Sequence, residues 1–293
     1  MTRTMWTAKI CRRLLAIAAT VLLGGFLSAT LVRMAPGFDS DEELLDPRLN
    51  SQSLEALRAE RAAQHNIFRF YAAYLGKAAH GNLGTSQTLN RPVRELIGER
   101  LPLTLRLVSV GLLLGWMLAL SLAMSAALAR VSAYEIFASS LGGFFLCIPA
   151  AVMALFFVYA NAPAYLAIAL IVFPNVFRYT RNLLDKSYQM PHILTARAKG
   201  MGEVRILLWH VLLVSGGQLL ALAGVSVSMA LGAAIPVEAL CGVPGVGQLA
   251  WQAATARDLP LLVTITVLVT VITLVANSSS ELAGEALRPR EAA

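Results

Sequence analysis

The sequence predicts an all-α, polytopic membrane protein with six transmembrane helices. Three observations lead to that fold class. Of 293 residues, 57% are hydrophobic and 14% charged, whereas a soluble domain carries about a quarter charged residues. The mean hydropathy is +0.65. The apolar residues are gathered into long runs bounded by charged ones, each near the roughly 20 residues a helix needs to cross a hydrocarbon core. An ordinary soluble enzyme and a disordered chain are both excluded.

The runs are taken in chain order. Leu14 to Val32 lies between Arg13 and Arg33, and Leu107 to Ala129 between Arg106 and Arg130. Ile136 to Phe177 is too long for one span and is punctuated by Asn161-Ala162-Pro163, a turn signal. It is therefore divided into two helices joined by a very short loop. The second of these is short unless it continues past Arg178 into Leu183-Leu184, with Arg178 and Arg181 at the interface. Ile206 to Val237 and Leu259 to Ser280 complete the six. Arg12-Arg13 before Leu14 resembles the start of a signal peptide, but no A-x-A site follows the apolar run, so the first helix is expected to be retained.

The formal net charge is +7, yet the basic residues sit at the ends of apolar runs. That placement makes them topology signals, and no nucleic-acid partner is expected. Arg3, Lys9, Arg12 and Arg13 precede the first run, and Arg178, Arg181, Lys186, Arg197, Lys199 and Arg205 follow the fourth. The turn after the third run has no basic residue and the one after the fifth has Arg257 alone. Both termini are expected to be cytoplasmic. Residues 1–33 then form a cytoplasmic N-terminus with the first helix. Residues 34–100 form an external segment, and 101–293 a five-helix core with a cytoplasmic loop at 178–205.

Cys11, Cys147 and Cys241 are scattered, without CxxC or metal-ligand spacing, so neither a disulfide nor a metal site is expected. The external segment opens with an acidic stretch, Asp39 to Asp46. In it, Ile67, Phe70, Tyr71, Tyr74, Leu75 and Ala78 share one helical face. Aromatic residues on such a face fit either the headgroup zone or packing against the protein's own helices. A Gly81-Asn82-Leu83-Gly84 turn leads to a second short amphipathic piece, Arg91 to Ile97.

The segment Pro191 to Gly202 is the most informative. Its middle is helix-compatible, cationic toward the C-terminal end, with small residues at Ala196 and Ala198. Gly200 and Gly202 follow, each able to end a helix at positive φ. Such a helix suits a partner's groove; a solvated topogenic loop fits the same residues.

At these residues the chain resembles the permease subunits of bacterial ABC importers, in the dipeptide, oligopeptide and nickel branch. Thr195-Ala196-Arg197-Ala198-Lys199-Gly200 is similar to that branch's ATPase-docking loop, and Val237-Glu238 through Val243-Pro244-Gly245-Val246-Gly247 to its external glutamate and glycine signature. Arg257-Asp258-Leu259-Pro260 resembles the step into its last helix. Val32 to Gly37, Gly81 to Ser86, Arg91-Pro92-Val93, Leu101 to Leu105 and Ile148-Pro149 resemble further landmarks in the same order. The chain departs from the family at Asn82, usually aspartate, and at Leu213-Val214 after His210. It departs again at Arg288-Pro289-Arg290 and in its short loop between the third and fourth spans.

The resemblance implies the type I ABC importer permease fold and a multi-pass subunit of the bacterial inner membrane. It implies four kinds of partner: a second homologous permease, two ATP-binding subunits, a periplasmic or lipid-anchored substrate-binding protein, and the lipid bilayer. This chain would bind no cofactor itself, ATP and Mg²⁺ being used by the partner subunits. Thr195, Ala196, Arg197, Ala198, Lys199, Gly200 and Gly202 would couple to the ATPase. Ala196 and Ala198 would supply the close contact, and Arg197 and Lys199 would pair with acidic groups. Glu238, Pro244, Gly245, Gly247, Arg257 and Asp258 would lie on the external, binding-protein side. Dipeptides, longer peptides and nickel chelates all remain open as cargo.

Other classes fare less well. Gly242 and Gly247 have the outer spacing of a P-loop, but Gln248-Leu249 follows where lysine and a hydroxyl are required. No catalytic residue is expected: His65, His80, His192 and His210 lie in loops or at span ends, and no HExxH or GxSG occurs. A secondary carrier or channel is the remaining alternative, but such proteins place ionisable groups within the membrane. Here the interior polar groups are hydroxyls, among them Ser226, Ser228, Thr264 and Thr266, which serve helix packing. Gly216, Gly217, Gly224 and Gly232 suit close helix packing, or a movable interface between subunits.

Overall fold

A computed structural model describes residues 3–34, 67–129 and 131–287. Among them are ten helices: α1 (Arg3–Met34), α2 (Ile67–Ala79), α3 (Val93–Ala129), α4 (Ser132–Cys147), α5 (Ala150–Tyr159), α6 (Ala164–Tyr188), α7 (Pro191–Ala198), α8 (Glu203–Cys241), α9 (Val246–Thr255) and α10 (Leu259–Leu287). The acidic stretch Asp39–Asp46, the residues after Met34 in the Val32–Gly37 landmark and the tail Arg288-Pro289-Arg290 lie outside the described residues.

The helices follow the apolar runs, with two differences. Helices α3, α8 and α10 are each long and apolar enough to cross a membrane, and α4 with α5 is a further candidate if the bent pair counts as one span. The expected third span is broken at Ile148-Pro149, where α4 and α5 meet at 95°. Proline has no N–H to donate and disfavours helix in the residue before it, and Ile148 is accordingly extended. The division at Asn161-Ala162-Pro163 stands where it was expected. Helix α6 does continue past Arg178, as far as Tyr188. Its charges are accommodated: Arg181 pairs with Asp185 at 2.7 Å and with Glu135 of α4. The charges in α6 keep it from qualifying as a span by apolarity alone, and the described apolar stretch of α1, Leu15–Leu31, is also short.

The chain divides into two compact units. The first comprises residues 1–101 and 249–271. There the aromatic face of α2 packs inward: Tyr71 and Tyr74 are buried with Ala29 of α1 and Val263 of α10. The Tyr71 ring stacks on Tyr74 at 6.2 Å and meets Phe26 edge-on at 6.0 Å. Tyr74 donates to Thr264 Oγ1 at 3.0 Å, and Ser28 and Thr266 share a hydrogen bond at 3.2 Å. Burial raises the Tyr74 phenol above its ordinary pKa, so it remains a donor. Of the two fates open to this aromatic face, packing against the protein's own helices is the observed one. The short piece expected over Arg91–Ile97 is instead the approach to α3 and its first turns, with Val93, Leu96 and Ile97 buried.

The second unit comprises residues 102–248 and 272–293. Its centre is α6, whose Ile168, Val172, Phe173, Val176 and Leu184 are fully enclosed. Helices α4, α5 and α8 pack against it. Polar side chains tie the helices together: Trp116 Nε1 donates to Ser226 at 2.9 Å, Ser187 and Ser215 bond at 2.8 Å, and Asn277 Nδ2 donates to Ser228 at 3.2 Å. The hydroxyls assigned to packing from the sequence do pack. Among the glycines of α8, close packing is observed at two positions. Gly224 lies against Asn277 and Ser280 of α10, and Gly217 against Gly284, whereas Gly216 and Gly232 face open space.

Candidate functional site

Helix α8 carries one candidate site at each end. At about 1.5 Å of rise per residue, the 36 residues from Glu203 to Glu238 span roughly 50 Å of helix. The first site precedes its N-terminus. Pro191 occupies the first position of α7, where its missing N–H costs no helical bond. At the other end Gly200 adopts φ +74°. Its N–H bonds to Arg197 O at 2.9 Å, and that of Met201 to Ala196 O at 3.2 Å, the two bonds of a Schellman cap. A residue with a Cβ would be strained there. Gly202 does not share that conformation: at φ −69° it is the extended N-cap of α8.

The seven residues proposed for coupling are therefore brought together, but they do not all point outward. Ile193 and Ala196 are buried, while Leu194, Thr195, Arg197, Ala198 and Lys199 are exposed. The close contact expected of Ala196 is thus made inside this protein, leaving Ala198 for the outer face. Leu194, 69% exposed, is the apolar tip of that face, and the sequence reading passed it over. The helical phase alone exposes it, once Ile193 and Ala196 turn inward three residues apart. Arg197 pairs with Glu203 at 3.2 Å, so its expected acidic partner is partly supplied by the chain itself. Lys199 at the C-cap complements the negative end of the helix dipole. Immediately beyond, Leu207–Leu212 form a π-helical stretch, a local widening that recurs at functional positions. Within it, the carbonyl of His210 lies 3.2 Å from His192 Nε2 of α7.

The second site is the turn from α8 into α9. Gly242 at φ +67° caps α8, with the Val243 N–H on Glu238 O at 3.0 Å. The Glu238 side chain is fully buried. Its Oε2 accepts the N–H of Gly247 at 2.6 Å and of Gln248 at 3.3 Å, while Thr104 Oγ1 accepts that of Val246 at 2.7 Å. The first N–H groups of α9, which have no intrahelical acceptor, are thus satisfied by a carboxylate and a hydroxyl from other helices. The charge also suits the positive end of the helix. Gly245 and Gly247 are explained by closeness. A Cβ on Gly245 would overlap the Glu238 carboxylate, and one on Gly247 would sit 2.8 Å from the backbone of Ala234 and Ile235. Pro244 is exposed at the corner.

Arg257 and Asp258 belong to a separate cluster in the first unit. Asp258 is buried and caps α10, accepting the Leu261 N–H at 3.2 Å. Its other oxygen accepts the Ser86 hydroxyl at 2.5 Å and the Thr88 N–H at 3.1 Å. Ser86 Oγ in turn accepts the Leu89 N–H at 3.1 Å. Asn82 accepts the Gly84 N–H at 3.0 Å, a turn that its side-chain carbonyl supports as a carboxylate would. Arg257 is exposed at φ +57°.

Comparison with known proteins places the chain in a family. Residues 111–292 match the family described as the binding-protein-dependent transport system inner membrane component. A putative peptide permease protein of Brucella suis biovar 1 is 27% identical, over 96% of this chain and 98% of its own length. The oligopeptide transport system permease protein AppB of Bacillus subtilis is 29% identical, over 97% and 98%. The dipeptide transport system permease protein DppB of Lactococcus lactis is 25% identical, over 91% and 93%. Among solved structures, an inward-facing conformation of the MetNI methionine ABC transporter shares the fold, with a TM-score of 0.60 and 17% identity. That match covers 66% of this chain and 97% of the other. The chain belongs to the family of binding-protein-dependent transport system inner membrane components: it is the permease component of an ABC importer, a multi-pass inner-membrane subunit with no ATPase of its own.

Proposed function

We propose that the chain crosses the membrane six times, with both termini in the cytoplasm, and conducts peptides. It does so paired with a second homologous permease, driven by two ATP-hydrolysing subunits and fed by an external substrate-binding protein. Peptide cargo is supported by relatives named as peptide, oligopeptide and dipeptide permeases that align over nearly their whole length. On this reading α1, α3, α4 with α5, α6, α8 and α10 are the spans.

The observation that carries the mechanism is α7. Its ends are fixed by Pro191 and Gly200, two of its side chains are anchored inside the protein, and its outer face presents Leu194, Ala198 and Lys199. A short helix held this way moves as a body, and it leads directly into α8. Closure of the ATPases on ATP favours one arrangement of α7, and α8 carries the displacement to the turn where Glu238 holds α9.

Co-purification tests the reading. Tagged permease expressed with its ATPases is expected to retain them, and Leu194→Asp is expected to lose them while still inserting in the membrane. Retention of the ATPases by Leu194→Asp, with unaltered transport, would remove α7 from the docking role.

A further inference from the structure

The break between α4 and α5 opens a cavity of 360 Å³ in the second unit, bordered by Phe145, Ile148, Ile171, Asn175, Met229 and Gly232. We propose that it is a cargo subsite, which takes one apolar or aromatic side chain of a passing peptide while Asn175 bonds the adjoining peptide group. The proposal rests on the peptide-permease reading and specifies where in this chain the cargo is felt.

Three features of the cavity converge. Its wall is aromatic and aliphatic and carries no charge, and its volume lies toward the lower end of the about 300–1,000 Å³ of small-molecule pockets. That is room for a side chain rather than a whole oligopeptide. Within this apolar wall the Asn175 side chain meets no hydrogen-bonding group among the described residues. An amide has two donor hydrogens and an acceptor, and at membrane depth such a group is costly unless a cavity or ligand meets it. A peptide unit supplies the complementary acceptor and donor. Finally, Ile148-Pro149 is non-helical backbone inside an apolar run. Lipid does not tolerate that arrangement, but a cavity-lining position does.

Gly232 provides the handle. A Cβ built there meets nothing within 4 Å, so a larger side chain would extend into the cavity without displacing its neighbours. Gly232→Leu fills the subsite, and Met229→Ala enlarges it. The complete importer, with its own binding protein and ATPases, is reconstituted in proteoliposomes and offered a mixed tripeptide pool, with uptake read by mass spectrometry. Relative to peptides of glycine and serine, uptake of peptides rich in leucine and phenylalanine is expected to fall about tenfold or more in Gly232→Leu. It is expected to be maintained or broadened to larger side chains in Met229→Ala, with ATPase stimulation by the loaded binding protein retained in both. Wild-type uptake with the same pool composition in both variants would overturn the subsite alone. Loss of the second permease from the purified Gly232→Leu complex would also overturn it, by making the cavity a subunit interface. A wild-type importer that takes up no peptide from the pool while importing another solute would defeat the peptide reading, and the subsite with it.

Discussion

The Glu238 carboxylate accepts the backbone N–H of Gly247 at 2.6 Å, from a position with no solvent exposure. Together with the Gln248 N–H and the Val246–Thr104 bond, this makes the end of α8 and the start of α9 one braced corner. Glu238→Ala strands the buried Gly247 N–H, which costs about 1–3 kcal/mol. The purified importer is therefore expected to melt earlier, and binding-protein-stimulated ATP hydrolysis to weaken. Glu238→Gln, which keeps an acceptor, should lose less. Equal melting of all three proteins would show that the carboxylate braces nothing.

Ser86 and Asp258 are 172 residues apart in sequence and joined by a 2.5 Å hydrogen bond. A double-mutant cycle of Ser86→Ala and Asp258→Asn is expected to give a coupling of about 0.5–3 kcal/mol in thermal stability. Asp258→Ala should do more, since it also removes the cap of α10 and the acceptor of the Thr88 N–H. Additive effects in the cycle would contradict a direct bond.

Gly200 holds φ +74°, which costs a β-branched residue about 1–3 kcal/mol. Gly200→Val is expected to leave insertion intact and to separate ATP hydrolysis from uptake: hydrolysis continues while transport falls at least about tenfold. Wild-type transport by this variant would count against a coupling role for α7.

Arg197 and Glu203 form an exposed pair, the kind worth about 0–1 kcal/mol. Glu203→Gln should barely alter the melting temperature. Because it frees Arg197, it should strengthen docking to an acidic ATPase surface, seen as slower loss of ATPase from the complex in raised salt. Faster loss would mean that Arg197 docks only when held by Glu203.

Much of the fold was legible because lipid imposes a coarse rule: uncharged runs of sufficient length become helices. The rule left the end of the fourth run open, since its length is sufficient only if it continues past Arg178. It does continue, to Tyr188, with Arg181 paired to Glu135 and Asp185. The bend at Ile148-Pro149 was visible as a proline yet silent in hydropathy. Helix α7 and its Gly200 cap were legible because both depend on neighbours in sequence. Glu238 could be placed only by resemblance, and neither its burial nor the support from Thr104 has a local signal. Ser86 was named only within a landmark, its role hidden because its partner lies near the far end of the chain.

The central claim is that this chain is a gate worked by other subunits' ATP hydrolysis. It is tested most directly by comparing peptide uptake into liposomes holding the complete importer with uptake into liposomes holding the permeases alone. The account predicts ATP-dependent accumulation in the first and none in the second. Accumulation by the permeases without the ATPases would contradict it.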